Sequence, residues 1–134
     1  MKVPIKVNHP ALIWHGFIPA GQKLWNLFRN TGVLPYTSTF PEPSSRVHRQ
    51  AQAAGSLVLY PPNMGTPSEV IKNLETGIVS YSPWADTIQE LVESGKWKEI
   101  GVKAREFAIS ERWEVQAQRF NTLIERIKGE TQCH

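Results

Sequence analysis

The sequence is poor in the features that announce a specialised class of protein. It holds one cysteine, Cys133, beside the last residue, so no internal disulfide is available and a reducing compartment is expected. No apolar run approaches the roughly 18 residues of a membrane-spanning helix. The opening Met-Lys-Val-Pro-Ile-Lys-Val-Asn-His-Pro lacks the apolar stretch of a signal peptide. These absences predict a cytoplasmic protein, with peripheral association at a membrane surface left open. No His or Cys residues stand at metal-ligand spacing, no Gly-rich loop has the Walker or dinucleotide pattern, and no nucleophile lies at readable spacing from a base. The net charge is only +3, and its basic residues are scattered, which argues against nucleic acid as a partner.

What is present is globular. The 134 residues are 40% hydrophobic and 20% charged, enough for one compact domain with a core. Short apolar runs alternate with amphipathic segments, the pattern of a parallel α/β sheet with flanking helices. Strands are expected at Ala11-Leu-Ile-Trp-His15, Val33-Leu-Pro-Tyr36, Ser56-Leu-Val-Leu-Tyr60 and Ile78-Val-Ser-Tyr81. Helices are expected over residues 23–30, with Leu24, Trp25, Leu27 and Phe28 on one face, and over 44–54, with Val47, Ala51 and Ala54 inward. Thr66-Pro-Ser-Glu69 reads as a capped helix start. Ser82-Pro83 opens another helix, with Trp84, Ile88, Leu91 and Val92 inward. Residues 97–128 read as C-terminal helices, with a stripe of Trp113, Ala117, Phe120, Ile124 and Ile127 that packs on the core or on a partner domain. About four strands are fewer than the five or six of a complete doubly wound domain, so the fold is expected to be a partial Rossmann-like domain over residues 1–134.

The chemistry concentrates after the second strand. The loop Thr37-Ser-Thr-Phe-Pro-Glu42-Pro43 leads into a helix start that carries Ser44, Ser45 and Arg46. Ligands of open α/β sheets bind at this strand edge, and unpaired amides at a helix start attract phosphate. Gln50 follows Glu42 by eight residues, so a loop carboxylate and a polar group on the helix wall can address different parts of one extended ligand. The bland readings remain: Glu42 as a solvated charge, Gln50 as a surface residue, His15 as a satisfied histidine, Glu69 as a cap, His48 as an exposed position.

The run Phe40-Pro-Glu42-Pro43-Ser-Ser-Arg-Val-His-Arg-Gln50-Ala-Gln-Ala-Ala-Gly55 resembles the retaining glycosyltransferases with two Rossmann-like domains, the group that includes glycogen and sucrose synthases. Trp14-His15-Gly16-Phe17, Gly65-Thr-Pro-Ser-Glu69-Val70, Asn73-Leu-Glu-Thr-Gly77-Ile-Val79 and Glu111-Arg-Trp113 resemble that family's further motifs in the same order. The resemblance spans residues 11–127 and implies half of such a fold, the carboxy-terminal half that grips a nucleoside diphosphate sugar.

Residue by residue, it implies that Glu42 is catalytic or holds the transferred sugar. Ser44 and Ser45 hold the distal phosphate through backbone amides, and Gln50 faces the ribose; the family's pyrophosphate-binding Arg and Lys have no counterpart here, and Arg46 at the helix start either pairs a phosphate or solvates the first turn. Gly16 lets the chain pass close to the nucleotide phosphates. Metal-independent transfer, with no cofactor, is implied as well. So is an amino-terminal domain or partner chain that presents the acceptor, without which the chain is expected to be inactive. Two departures stand out. Gln50 replaces the family's second Glu, exchanging a charge-assisted bond for a neutral one, about 1 kcal/mol weaker. Pro43-Ser44-Ser45 replaces a Gly-x-Gly-like stretch. A degenerate, non-catalytic module that uses the crevice for protein contact is the alternative.

Overall fold

The computed structural model of the chain describes residues 10–13, 15–37, 46–62, 71–81 and 84–131. It is an α/β fold with a parallel sheet in the order β1-β2-β3. Along the chain, helix α1 (Gln22–Arg29) precedes β1 (Val33–Pro35), and α2 (Arg46–Ala54) precedes β2 (Leu57–Tyr60). Then follow β3 (Ile78–Val79), α3 (Ala85–Ser94), α4 (Lys96–Ser110) and α5 (Trp113–Thr131). Register pairs Val33 with Leu57 and Leu59 with Ile78.

The central strand explains the layering. All four residues of Leu57-Val-Leu-Tyr60 are buried, because a parallel strand with helices on both faces has no solvated side. Successive side chains alternate. Val58 and Tyr60 pack with Phe28, Ala51 and Ile71 beneath α1 and α2. Leu57 and Leu59 pack with Ile78, Leu91 and Ile100 beneath α3 and α4. Ser56, fully buried, ties the start of β2 to the end of α1. Its hydroxyl lies 2.9 Å from the Phe28 carbonyl and 2.7 Å from that of Thr31, both where the helix stops. Helix α4 runs against the turn after α2, where Gly55 sits at φ +88°. A Cβ at Gly101 would collide with the Gly55 carbonyl oxygen, so the two backbones meet directly.

Four expectations change. The described residues of the stretch 11–15 form turn and coil with Leu12 and Ile13 exposed, so among the described residues the sheet has three strands with β1 at its edge. A brief apolar run between Pro10 and Gly16 has a strand's composition, but among the described residues no strand pairs with it. Helix α2 turns His48, Ala51 and Gln52 inward while Val47 is exposed. In α3, Val92 faces solvent although Trp84, Ile88 and Leu91 pack inward. The stripe of α5 does not enter the core: Trp113, Phe120, Leu123 and Ile127 are exposed, and no described side chain of that helix is buried. The expected helix start at Thr66–Glu69 lies outside the described residues. No helix among the described residues is long and apolar enough to cross a membrane.

Candidate functional site

The site is the carboxyl edge of β1 and β2 with the first turn of α2 above it. Parallel register continues past the strands, so Tyr36 stands beside Tyr60, and the Tyr36 amide donates to the Leu59 carbonyl at 2.9 Å. The two rings stack at 5.8 Å, and His48, on the first turn of α2, meets both edge-on at 4.3 and 5.0 Å. This aromatic cluster is a packed floor. Tyr60 and His48 are buried, so neither ring is free to receive a ligand face. It fixes the start of α2 against the ends of the two strands.

Above the floor, α2 presents its other face. Arg46 and Gln50 are four residues apart, hence on one side of the helix, and both are exposed. The first turn of α2 has no acidic residue, so the positive end of the helix is not offset locally. Gln50 borders a small recess of about 60 Å³ between α1 and α2, with Ala20, Gly21, Leu24, Trp25 and Phe28. That space is a minor crevice between the two helices. Apart from that recess, Gln50 is exposed on the open side of the helix. Gly16 sits at φ +65° on an exposed segment, with nothing within 4 Å of where a Cβ would stand. Glu42, Ser44 and Ser45 lie outside the described residues.

Sequence reasoning had not found the inward polar side of α2. The Gln52 side-chain amide donates to the Thr76 carbonyl at 2.8 Å, and the Thr76 hydroxyl accepts from the Lys72 amide at 2.8 Å. These bonds tie α2 to the turn that enters β3. The available signal was spacing: residues 48, 51 and 52 share a helix face.

A second, wider groove of about 580 Å³ runs between the turn before β3 and α4, lined by Lys72, Glu75, Lys103, Glu106 and Phe107 among others. It lies at the amino ends of the strands, the edge opposite to that where α/β sheets hold ligands. Among the described residues, no three His, Cys, Asp or Glu side chains gather closely enough to hold a metal ion.

No protein-family model matches the sequence, and no curated protein does. Solved structures do. The chain is similar to the crystal structure of HepE from Anabaena in complex with UDP, at TM-score 0.61 and 25% identity over 74% of this chain. It is similar to HepE with UDP and glucose at TM-score 0.60 and 25% identity, and to HepE with UDP-glucose at 0.59 and 24%, each over 74% of this chain. The chain has the fold of part of HepE. It spans 29% of the HepE chain in each comparison, less than a third of its length.

Proposed function

We propose that the chain is the donor-binding portion of a retaining, metal-independent glycosyltransferase, transferring a sugar from a nucleoside diphosphate to an acceptor held elsewhere. The observation that carries this reading is the fold shared with HepE, whose crystals hold UDP and UDP with glucose. The exposed Arg46 and Gln50 on α2, at the carboxyl edge of a parallel sheet, support it.

In this reading the diphosphate lies over the start of α2, where the positive end of the helix and Arg46 supply positive potential. Transfer breaks the bond between the sugar's anomeric carbon and the diphosphate oxygen, and negative charge grows on the departing nucleotide. Amides and a guanidinium already in place take up that charge with little rearrangement, which is where such a site gains its rate. Glu42 is assigned to the transferred sugar beside the reacting carbon. Ser44 and Ser45 are assigned to the distal phosphate, Gln50 to the ribose hydroxyls, and Gly16 to the close passage of the chain. The acceptor side, from an amino-terminal domain or a partner chain, completes the enzyme.

Calorimetric titration with UDP, GDP and UDP-glucose tests the proposal. Saturable binding of at least one is expected, weakened by Arg46→Ala and tightened about fivefold by Gln50→Glu, from ~1 kcal/mol for a charge-assisted bond. No response to any nucleoside diphosphate at millimolar level would overturn it. The second reading, a non-catalytic Rossmann-like module that meets another protein, is favoured by one observation, the exposed apolar face of α5.

A further inference from the structure

Helix α5 is 19 residues long and no described side chain on it is buried. Trp113 is 86% exposed, Phe120 62% and Ile127 50%. Amphipathic helices in proteins owe most of their stability to packing of an apolar face. This face is organised for a helix. Trp113, Ala117, Phe120, Ile124 and Ile127 are spaced 4, 3, 4 and 3, the alternation of a coiled-coil seam. Trp113, Ala117, Phe120 and Leu123 border a shallow apolar groove of about 610 Å³ along the same side.

The residues flanking that seam choose the partner and its direction. On one flank stand Glu114, Asn121 and Lys128, seven residues apart; on the other stand Gln116 and Leu123. The first flank is complementary to itself when reversed. In an antiparallel pair that sets Phe120 of one copy opposite Ile124 of the other, Ala117 meets Ile127. Glu114 then meets Lys128 at both ends, and Asn121 meets Asn121 at the centre. The second flank brings Leu123 against Leu123. A parallel pair would instead put Lys128 beside Leu123 and leave Glu114 without a cation on the facing helix. Arg119, Glu125 and Arg126 fall outside the seam in either case.

Within one chain, Lys128 reaches Glu125 at 2.9 Å and Arg112 reaches Glu114 at 3.8 Å, with more than half of each side chain exposed. Surface pairs of this kind contribute little and are easily exchanged for partners across an interface.

We propose that α5 is a self-association surface, pairing two copies of this chain antiparallel through the Trp113–Ile127 seam, with Glu114 and Lys128 setting the direction. The test is sedimentation equilibrium of the whole chain under reducing conditions, so that Cys133 forms no covalent dimer. A reversible dimer is expected. Glu114→Lys alone faces cation with cation at both ends, and Lys128→Glu alone faces anion with anion. Each is expected to weaken association at least tenfold while leaving the circular dichroism of the α/β domain unchanged. Mixed in equal amounts, the two variants regain opposite charges at both ends and are expected to form a heterodimer as tight as the unaltered homodimer. Both changes lie on solvent-exposed positions, so loss of folding does not confuse the result. An unaltered chain that stays monomeric at about 100 µM, tens of times above the micromolar range of a modest complex, would overturn the proposal in favour of a different occupant. So would single variants that still dimerise, or a mixture that does not.

Discussion

Helices α2 and α5 invert what their sequences suggest. Arg46-Val-His-Arg-Gln-Ala-Gln-Ala-Ala54 is short and largely polar, yet its His48, Ala51 and Gln52 are fully buried. Helix α5 carries the cleanest apolar stripe in the chain and buries none of its described side chains. The difference lies in what each helix is given to pack on. Helix α2 connects two adjacent parallel strands, so the crossover holds it on the sheet between α1 and α4 whatever its composition. Helix α5 follows α4, and among the described residues no strand comes after it. A stripe identifies a face; connectivity decides whether the same chain covers it.

The sharpest way to probe this contrast is to make one kind of substitution in both regions. At Gly101 a side chain has no room, because the backbone of the turn after α2 already occupies its place. Gly101→Val should therefore cost about 3 kcal/mol or more, the upper range for overpacking against atoms that cannot step aside. Urea denaturation followed by circular dichroism measures it. A loss under about 1 kcal/mol would mean that α4 moves away from α2 at little cost, and the contrast with α5 would lose its basis.

Next in size is the polar face of α2. Gln52→Leu keeps the volume but removes the donor to the Thr76 carbonyl. A buried carbonyl left unsatisfied costs roughly 1–3 kcal/mol. The same denaturation experiment should show a loss of about 2 kcal/mol, whereas Gln118→Leu on exposed α5 should change stability by less than about 0.5 kcal/mol. Equal effects at the two positions would break the comparison. Ser56→Ala should follow at about 1 kcal/mol, since the carbonyls of Phe28 and Thr31 lose the hydroxyl that closes α1.

The same contrast explains how much was legible from sequence. The strand Leu57–Tyr60 was readable because a four-residue apolar run after a Gly-terminated helix suits only a strand buried on both faces. The helices around it followed from period and caps to within a few residues. The stretch 11–15 misled because composition cannot reveal whether a neighbouring strand exists. On α2 and α3 one member of each expected inward face was misjudged, Val47 and Val92, while Ala51, Ala54, Ile88 and Leu91 do pack inward. Apolar residues attract the assignment, yet geometry rotates the helix about the side chains that fit. Of the candidate site, the exposed placement of Gln50 on the wall of α2 was readable from spacing, while the loop that leads into the helix lies outside the described residues. The Tyr36–His48–Tyr60 floor was not, because it arises from cross-strand register between residues 24 apart. Sequence adjacency carries no trace of that pairing.

Smaller effects should run the other way on α5. Gly129 has open space where a side chain would stand. Gly129→Ala should thus raise the thermal stability of α5 by as much as about 1 kcal/mol, the ordinary difference between the two residues inside a helix. Helix content measured by circular dichroism in the isolated chain checks it, and a decrease would place a close neighbour at that position.

The smallest effect expected is electrostatic, on the exposed side of α4. Lys103 donates to Glu99 at 2.8 Å across one turn. That hydrogen bond, aided by the charge, holds the Glu99 carboxyl below the ordinary carboxylate range and Lys103 above the ordinary lysine range. The signs then follow from linkage. The contribution through Glu99 is present above the unfolded carboxylate pKa and fades as pH falls through the lowered folded value. The contribution through Lys103 is present below the unfolded lysine pKa and fades as pH rises through the raised one. Between these limits stability should be flat, because the pair is fully solvated and such pairs contribute little. An NMR titration of Glu99 should show a midpoint below the ordinary glutamate value, and Lys103→Met should raise it again. A Glu99 midpoint unmoved by Lys103→Met would assign the depression to something other than the pair.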